Sequence, residues 1–342
     1  MFKYASKIKT KEDHIPVTSY AVSVIETSKQ TNRSTITYYD SELQEKGKQS
    51  IPYGGLCEGI QPVIYDNKAY LVVAGDKMVS SNVVLEIDLI SGELKEYSMP
   101  EHASSWSFQV DDENMYVTSN TESRIDSINR TTKEQQTIKF DANKDGYVSD
   151  LVLKDGMLYA FCDNDDNKIS SYLYEIDVDT FSIVDKIDIS KYGQGLSGSC
   201  FYGDNLYLSF SCLEDNTTLD YICEYSLTTK KIRKIEVEAK NPTQIKEYNG
   251  LLYIVNSDEH DEKQSSSISI YNPKTDAIKN AKFKRHITCI DFMKDKMYLY
   301  GNNKLAIYSV EDDGLYLEKE EDVYTEKNNN CYYWVSGFFL RE

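Results

Sequence analysis

The chain has 342 residues and a formal net charge of −18, from 38 basic and 56 acidic side chains. This excess of carboxylates argues against nucleic acid or an anionic membrane surface as a partner, because both carry negative charge. No apolar run reaches the roughly 18 residues of a transmembrane helix, and no long stretch has apolar residues at helical spacing. The sequence therefore predicts neither a transmembrane helix nor a mainly helical fold.

A short phrase recurs along the chain. It consists of a turn of the Asp-Gly type, an apolar residue, a tyrosine and then alternating apolar positions. Six copies follow one another at intervals of 43 to 48 residues, and Tyr20 marks a seventh, less regular one; their tyrosines are Tyr70, Tyr116, Tyr159, Tyr207, Tyr253 and Tyr298. A period of 40 to 50 residues with several short strands is typical of β-propellers. We interpret the repeated tyrosine as a packing residue.

The copy around Tyr253 shows how each unit is built. Thr243–Tyr248 leads into Asn249-Gly250, a strong hairpin signal because both residues tolerate positive φ. An apolar strand over 251–255, a strand at 269–271 and a more polar strand over 277–283 follow. Each copy therefore predicts four antiparallel strands. Seven copies predict an all-β, seven-bladed β-propeller.

The ends of the chain predict how the propeller closes. The segment 331–340 is apolar, whereas the charged stretch Lys7–His14 offers the first copy no inner strand of its own. We predict that the C-terminal strand supplies the innermost strand of the first blade, because an open ring would expose sheet edges. A simple C-terminal cap is the alternative. The predicted organisation is an N-terminal spacer (1–17) and a single propeller domain (18–342).

The cysteines and the N-terminus bear on the compartment. Seven cysteines, without C-x-x-C spacing, predict mainly buried free thiols, while a bridge between Cys212 and Cys223 stays open. Residues 1–9 lack the apolar core of a signal peptide. We expect an extracytoplasmic or cell-surface protein whose leader is absent from this sequence, with a cytoplasmic protein as the alternative.

Segments that lead into the innermost strands are predicted to line the mouth of the central channel. A concave mouth with aromatic and convergent polar side chains is typical of a ligand site. The candidate ligand-binding residues are Glu58, Trp106, Tyr147, Gln244, Arg285 and Trp334. An enzyme would use His102 and His286 of the same segments as acid and base. Packing between blades is the alternative role for all of these residues.

The segment Asp141–Asp150 resembles the calcium-binding loops of EF-hands, dockerins and calcium-binding propellers. Oxygen-bearing side chains at alternate positions followed by a glycine are how a loop wraps Ca²⁺. Asp141, Asn143, Asp145 and Asp150 would supply side-chain oxygens. Two departures are the missing acidic residue at the twelfth position and the shifted last aspartate. A plain turn is the alternative, and otherwise no cofactor is expected.

The repeat resembles bacterial propellers of the YVTN and quinoprotein-like superfamily. The match is closest at Leu252–Asn256 and Ile270–Thr275 and extends over about residues 18–340. The resemblance implies the propeller fold, functions that range from binding scaffolds to lyases, and in many Gram-positive relatives an exported lipoprotein. No G-x-S-x-G or H-E-x-x-H motif is present. We therefore expect a non-catalytic scaffold that binds a protein or cell-surface ligand through its loop-rich face. The alternative is a lyase- or lactonase-like enzyme at the channel mouth.

Overall fold

The computed structural model describes residues 20–28, 33–56, 61–76, 79–99, 105–119, 121–164, 170–213, 217–257, 266–323 and 333–341. At 74–76, 79–80 and 333–334 it describes the backbone only. The predicted N-terminal spacer, 1–17, lies outside these ranges. No helix within them has the length and hydropathy needed to cross a bilayer.

The described strands form seven antiparallel sheets of four strands, which are the blades. Blade 1 contains β1 (Val22–Ser28), β2 (Arg33–Tyr39) and β3 (Glu45–Ile51); blade 2 contains β4 (Val63–Tyr65), β5 (Lys68–Asp76), β6 (Val79–Asp88) and β7 (Leu94–Ser98). Blade 3 contains β8 (Ser105–Val110), β9 (Asn114–Ser119), β10 (Arg124–Asn129) and β11 (Gln135–Lys139). After the short helix α1 (Ala142–Asp145), blade 4 contains β12 (Tyr147–Lys154), β13 (Met157–Asn164), β14 (Ser170–Asp177) and β15 (Ser182–Asp188).

The remaining blades repeat this order. Blade 5 contains β16 (Gln194–Tyr202), β17 (Asn205–Cys212), β18 (Tyr221–Ser226) and β19 (Ile232–Glu236). Blade 6 contains β20 (Pro242–Tyr248), β21 (Leu251–Asn256), β22 (Ser267–Asn272) and β23 (Ala277–Lys282). Blade 7 contains β24 (Cys289–Met293), β25 (Lys296–Gly301), β26 (Lys304–Glu311) and β27 (Gly314–Asp322), and β28 (Tyr333–Leu340) follows. The fold is an all-β, seven-bladed propeller, as predicted.

The C-terminal strand completes blade 1, which confirms the predicted closure. β28 pairs antiparallel with β1, with Val22 opposite Leu340 and Ser28 opposite Tyr333. Phe338 and Phe339 of β28 are 2% and 1% exposed. The last strand of the chain therefore covers the edge of β1 and adds large apolar side chains to the core.

The turns between the first two strands of the blades have the backbone that the sequence predicts. Asp155 and Gly156 have φ of 50° and 75°, and Asn249 and Gly250 have φ of 50° and 77°. Two successive residues with positive φ match the right-handed twist of a hairpin, which explains the Asp/Asn-Gly pairs.

The repeated tyrosine is a core residue in each of the six regular copies. These side chains are all buried, on the second strand of their blades. Several hydroxyl groups find charged partners: Tyr116 donates to Asp111 over 2.8 Å, and Tyr207 donates to Glu224 over 2.8 Å. Burial raises the pKa of Tyr253 to about 12. The tyrosines therefore remain protonated at neutral pH and serve packing.

The described residues pack as two compact units. The first comprises the described residues within 1–162, 174–186 and 323–342, and the second those within 163–173 and 187–322. In the first unit, the core between blades 1 and 2 includes Ile25, Leu71 and Phe339. In the second unit, the core between blades 6 and 7 includes Tyr253 and Leu299. Each blade thus buries its faces against its neighbour within the unit.

The five cysteines in the described ranges are free thiols, as the sequence predicts. Cys223 on β18 lies opposite Leu208 on β17, so Cys212 is four residues further along its strand. At about 3.3 Å per residue this places the two cysteines roughly 13 Å apart along the strand. That separation exceeds the reach of a disulfide, about 7 Å between Cα atoms. The bridge left open by the sequence is therefore absent.

Candidate functional site

The inner strands of neighbouring blades are joined by side chains that satisfy the free backbone groups of a strand edge. In the first unit, Ser107 of β8 donates a 2.6 Å hydrogen bond to the carboxylate of Asp150 on β12. The amide of Leu151 donates to the Ser107 hydroxyl over 3.0 Å, and Gln109 donates to the Leu151 carbonyl over 2.8 Å. Unpaired edge groups favour association with other strands, so these contacts protect the inner edge.

Gln244, a predicted ligand-binding residue, has the same role in the second unit. Its side-chain oxygen on β20 accepts a 2.7 Å hydrogen bond from the amide of Ile290 on β24. Gly198 of β16 also approaches β20 closely, because a Cβ added to it would lie 2.8 Å from the Gln244 Cα. The structure therefore places Gln244 in the contact between blades 6 and 7.

The position of Asp150 between the inner strands β8 and β12 changes the pH at which its carboxyl group ionises. Loss of solvent on burial raises the pKa of Asp150 to about 6, although hydrogen bonds from Ser107 and the Leu151 amide lower it. The unfolded chain has an aspartate pKa of about 3.9. The folded state therefore binds this proton more tightly, and the free energy of unfolding falls as the pH rises from about 4 through about 6.

We expect Asp150→Asn to stabilise the fold at pH 7.5 and to lose this pH dependence. The amide keeps an oxygen for Ser107 and Leu151 but carries no charge, so the gain at pH 7.5 is at most about 3 kcal/mol. At pH 4 the gain disappears, because the wild-type carboxyl is then protonated. Urea unfolding at both pH values measures the difference. The exposed Asp155→Asn is the control for removing one charge, and an equal gain in both variants would contradict the assignment to Asp150.

The predicted calcium segment forms a capped turn in the structure. The Asp141 carboxylate is the N-cap of α1 and accepts from the Asn143 amide over 3.1 Å. One oxygen of Asp145 accepts from the Asp141 amide over 3.0 Å, and the other pairs with Lys186 over 2.7 Å. Asp150 lies further on, in β12, where it bonds Ser107. The described residues contain no group of three or more His, Cys, Asp or Glu side chains gathered for a metal. These contacts are those of a plain turn, which the sequence analysis gave as the alternative. The calcium site stays a prediction.

Two predicted aromatic residues lie near the starts of inner strands in the first unit. Trp106 is half-buried near the start of β8, and Tyr147 is 43% exposed at the start of β12. Trp334 lies on β28, where only the backbone is described. Glu58 and His102 lie outside the described residues. Trp106 and Tyr147 are thus the candidate ligand-binding residues of this unit whose side chains the structure describes.

The other predicted residues belong to the second unit and are held by contacts within blade 7. Arg285 forms an ion pair with Glu320 and donates to the Tyr308 hydroxyl over 3.3 Å. His286 is 8% exposed, and its backbone amide donates to the Asn302 side chain over 2.7 Å. Its Nε2 atom has no hydrogen-bond partner. The imidazole is therefore packed in the protein and does not present an accessible acid or base.

A pocket that the sequence did not indicate lies at the other end of the inner strands in the first unit. Its volume is about 320 Å³, and the C-terminal ends of β4, β8 and β12 with the turns that follow form its wall. The lining residues are Val63, Ile64, Tyr65, Gln109, Val110, Asp111, Leu153, Lys154, Asp155 and Gly156. We refer to it as the turn-face pocket. Ile64, 44% exposed, lies on β4 between the half-buried Val63 and Tyr65.

Comparisons with known proteins define the fold only. No family model and no curated protein matches the chain. Among solved structures, apo AztD from Citrobacter koseri has a TM-score of 0.57 at 11% identity, covering 91% of this chain and 85% of that one. The computationally designed Ika8 protein has a TM-score of 0.56 at 10% identity over 91% and 90%. Kluyveromyces lactis Hsv2 has a TM-score of 0.54 at 12% identity over 88% and 100%. The chain is thus similar to these structures in fold, a β-propeller, which commonly serves as a binding scaffold.

Proposed function

We propose that the protein is a non-catalytic binding propeller that engages a protein or cell-surface ligand through its loop-rich face. In the first unit the described part of this face comprises α1 and the starts of β8 and β12, with Trp106 and Tyr147. The observation that carries the proposal is the exposed Tyr147 side chain, which a fixed turn presents to solvent. Aromatic side chains dominate the energetics of many interfaces because they bury a large area with few rotatable bonds.

The turn before Tyr147 is held on both sides. The Ser123 hydroxyl donates a 2.5 Å hydrogen bond to the carbonyl of Gly146, and Gly146 itself has φ of 80° at the end of α1. Lys186, on the outer strand of blade 4, forms a 2.7 Å ion pair with Asp145. A backbone segment that is already ordered loses little entropy when its neighbouring side chain binds, so more of the contact energy contributes to affinity. The arrangement suits recognition without chemistry.

A matched pair of tyrosine variants tests the proposal. Tyr147→Ala removes the proposed anchor, and Tyr316→Ala removes a side chain of similar exposure, 47%, on the outer strand β27. The wild-type protein is immobilised and exposed to purified cell-wall polysaccharides and purified extracellular protein domains in biolayer interferometry. We expect at least one of these ligands to bind the wild-type protein. Its affinity should fall about tenfold or more with Tyr147→Ala, which corresponds to at least about 1.4 kcal/mol. Binding that both variants leave intact, or weaken equally, would refute the role of this face.

The lyase or lactonase alternative has no observation in its favour. Of its two histidines, His286 is buried and His102 lies outside the described residues. A general acid or base must come within hydrogen-bond reach of the substrate proton that it transfers. We therefore propose binding and not catalysis.

A further inference from the structure

The turn-face pocket combines apolar walls with an acidic rim. Two hairpin turns contribute to its lining, at 111–113 and 154–156, and a third, at 66–67, directly follows the lining residue Tyr65. We refer to these turns as its rim; together they carry five carboxylates and one lysine. Its apolar wall includes the half-buried Val63 and Leu153 and the exposed Ile64. A volume of about 320 Å³ lies at the lower end of the range for ligand pockets, which begins near 300 Å³. It suits a side chain or a small group, and not a large ligand.

At least two of the rim carboxylates are available to a ligand. Asp66 and Asp155 are exposed and have no hydrogen bond or ion pair within the described ranges. Asp111, in contrast, accepts from the amides of Glu113 and Asn114 and from the Tyr116 hydroxyl. The rim therefore presents uncompensated negative charge on the turns of blades 2 and 4.

Two cations lie at or near the pocket, against five carboxylates on its rim. The Arg130 guanidinium lies over the Tyr65 ring and donates to the Asp111 carbonyl over 2.8 Å and to the Tyr70 hydroxyl over 3.0 Å. Lys154 is the one cationic side chain in the lining. With a net charge of −18 on the whole chain, the field at this rim favours a positively charged ligand.

We propose that the turn-face pocket binds an extended basic segment of a partner protein, with an apolar side chain in the pocket and lysine or arginine residues on either side. Asp66 and Asp155 belong to turns two blades apart, with the turn of blade 3 between them. An extended segment with basic residues on either side of the apolar one can offer a separate cation to each carboxylate. This proposal is independent of the loop-rich face.

The experiment starts from a phage-displayed library of random heptapeptides selected on the full-length wild-type protein. We expect enriched peptides in which lysine or arginine flanks an apolar residue. Their dissociation constants are then measured by fluorescence polarisation with synthetic copies. Ile64→Ser should weaken binding about tenfold, whereas Ile183→Ser, with a matched exposure of 43% on the outer strand β15, should leave it unchanged. Asp155→Asn and 0.5 M NaCl, against a low-salt buffer, should each weaken binding because they reduce the charge attraction.

Three results would overturn the inference. The first is a selection that enriches no basic, apolar peptides. The second is equal binding by the wild type and Ile64→Ser. The third is enriched peptides whose binding falls with Tyr147→Ala and not with Ile64→Ser, which would place them on the loop-rich face and leave the proposed function standing. Failure of the Tyr147 experiment, in turn, does not affect the Ile64 comparison, so the two proposals fail separately.

Discussion

A protein that ends at residue 332 is expected to lose its cooperative folded state. The deletion removes β28 and leaves β1 as an uncovered edge strand, since β28 is its inner partner from Val22 to Ser28. It also removes Phe338 and Phe339, which are 2% and 1% exposed. Truncating one buried phenylalanine costs about 3–5 kcal/mol, and a whole domain is stable by only about 5–15 kcal/mol. The loss of two, with a ladder of hydrogen bonds, approaches or exceeds that margin.

Urea unfolding followed by far-UV circular dichroism, together with size-exclusion chromatography, measures the effect of this deletion. We expect a broad transition or aggregation in place of a single sharp transition. A synthetic peptide of residues 333–342 should restore the sharp transition when it is added in excess, and a scrambled peptide should not. A truncated protein that unfolds as sharply and at the same urea concentration as the wild type would show that blade 1 is stable without its C-terminal strand.

The fold could be predicted from the sequence because the same pattern of strands and turns recurs along the chain. Each copy repeats the same buried tyrosine and the same hairpin turn, so that errors in one copy are corrected by the others. The closing strand was predictable for a related reason. An apolar segment at 331–340 and a charged one at 7–14 leave one consistent pairing, and the pairing of β28 with β1 is the one observed.

The candidate site was less predictable because its residues depend on contacts between blades. Gln244 and Asp150 have the polarity of ligand-binding residues, but each bonds the inner strand of a neighbouring blade. Arg285 pairs with Glu320, which is 35 residues away in sequence. No local pattern specifies which polar side chain on an inner strand faces a neighbour and which faces a ligand.

The turn-face pocket was missed for a different reason. The Asp-Gly turns were understood as signals that end one strand and start the next, which they are. The same turns also bring carboxylates of two successive blades, Asp111 and Asp155, to one pocket, beside apolar residues such as Ile64 and Leu153. Asp66 of a third blade follows the lining residue Tyr65. A residue that specifies a turn is thus free to present its side chain, and only the arrangement of blades reveals what that side chain surrounds.

Gly301→Ala is expected to be among the most destabilising single substitutions in the second unit, by about 3–5 kcal/mol. A Cβ added to Gly301 would lie 2.0 Å from the carbonyl oxygen of His286 and 3.1 Å from the Cα of Ile287. Both atoms belong to the backbone, which cannot turn aside as a side chain does. The amide of Thr288 donates to the Tyr300 carbonyl over 2.9 Å, so moving the two segments apart would also break a hydrogen bond.

A graded series of glycine variants separates this close approach from a general effect of replacing glycine. Gly198→Ala meets the backbone of Thr243 and Gln244 at 2.8 Å, and Gly47→Ala, in β3, meets nothing within 4 Å. We expect Gly47→Ala to be neutral or slightly stabilising, since alanine reduces the entropy of the unfolded chain. Gly198→Ala should destabilise by about 1–3 kcal/mol, less than Gly301→Ala. Urea unfolding of the three proteins checks the order, and equal stabilities for Gly301→Ala and Gly47→Ala would mean that the 283–288 segment can move away from β25 at little cost.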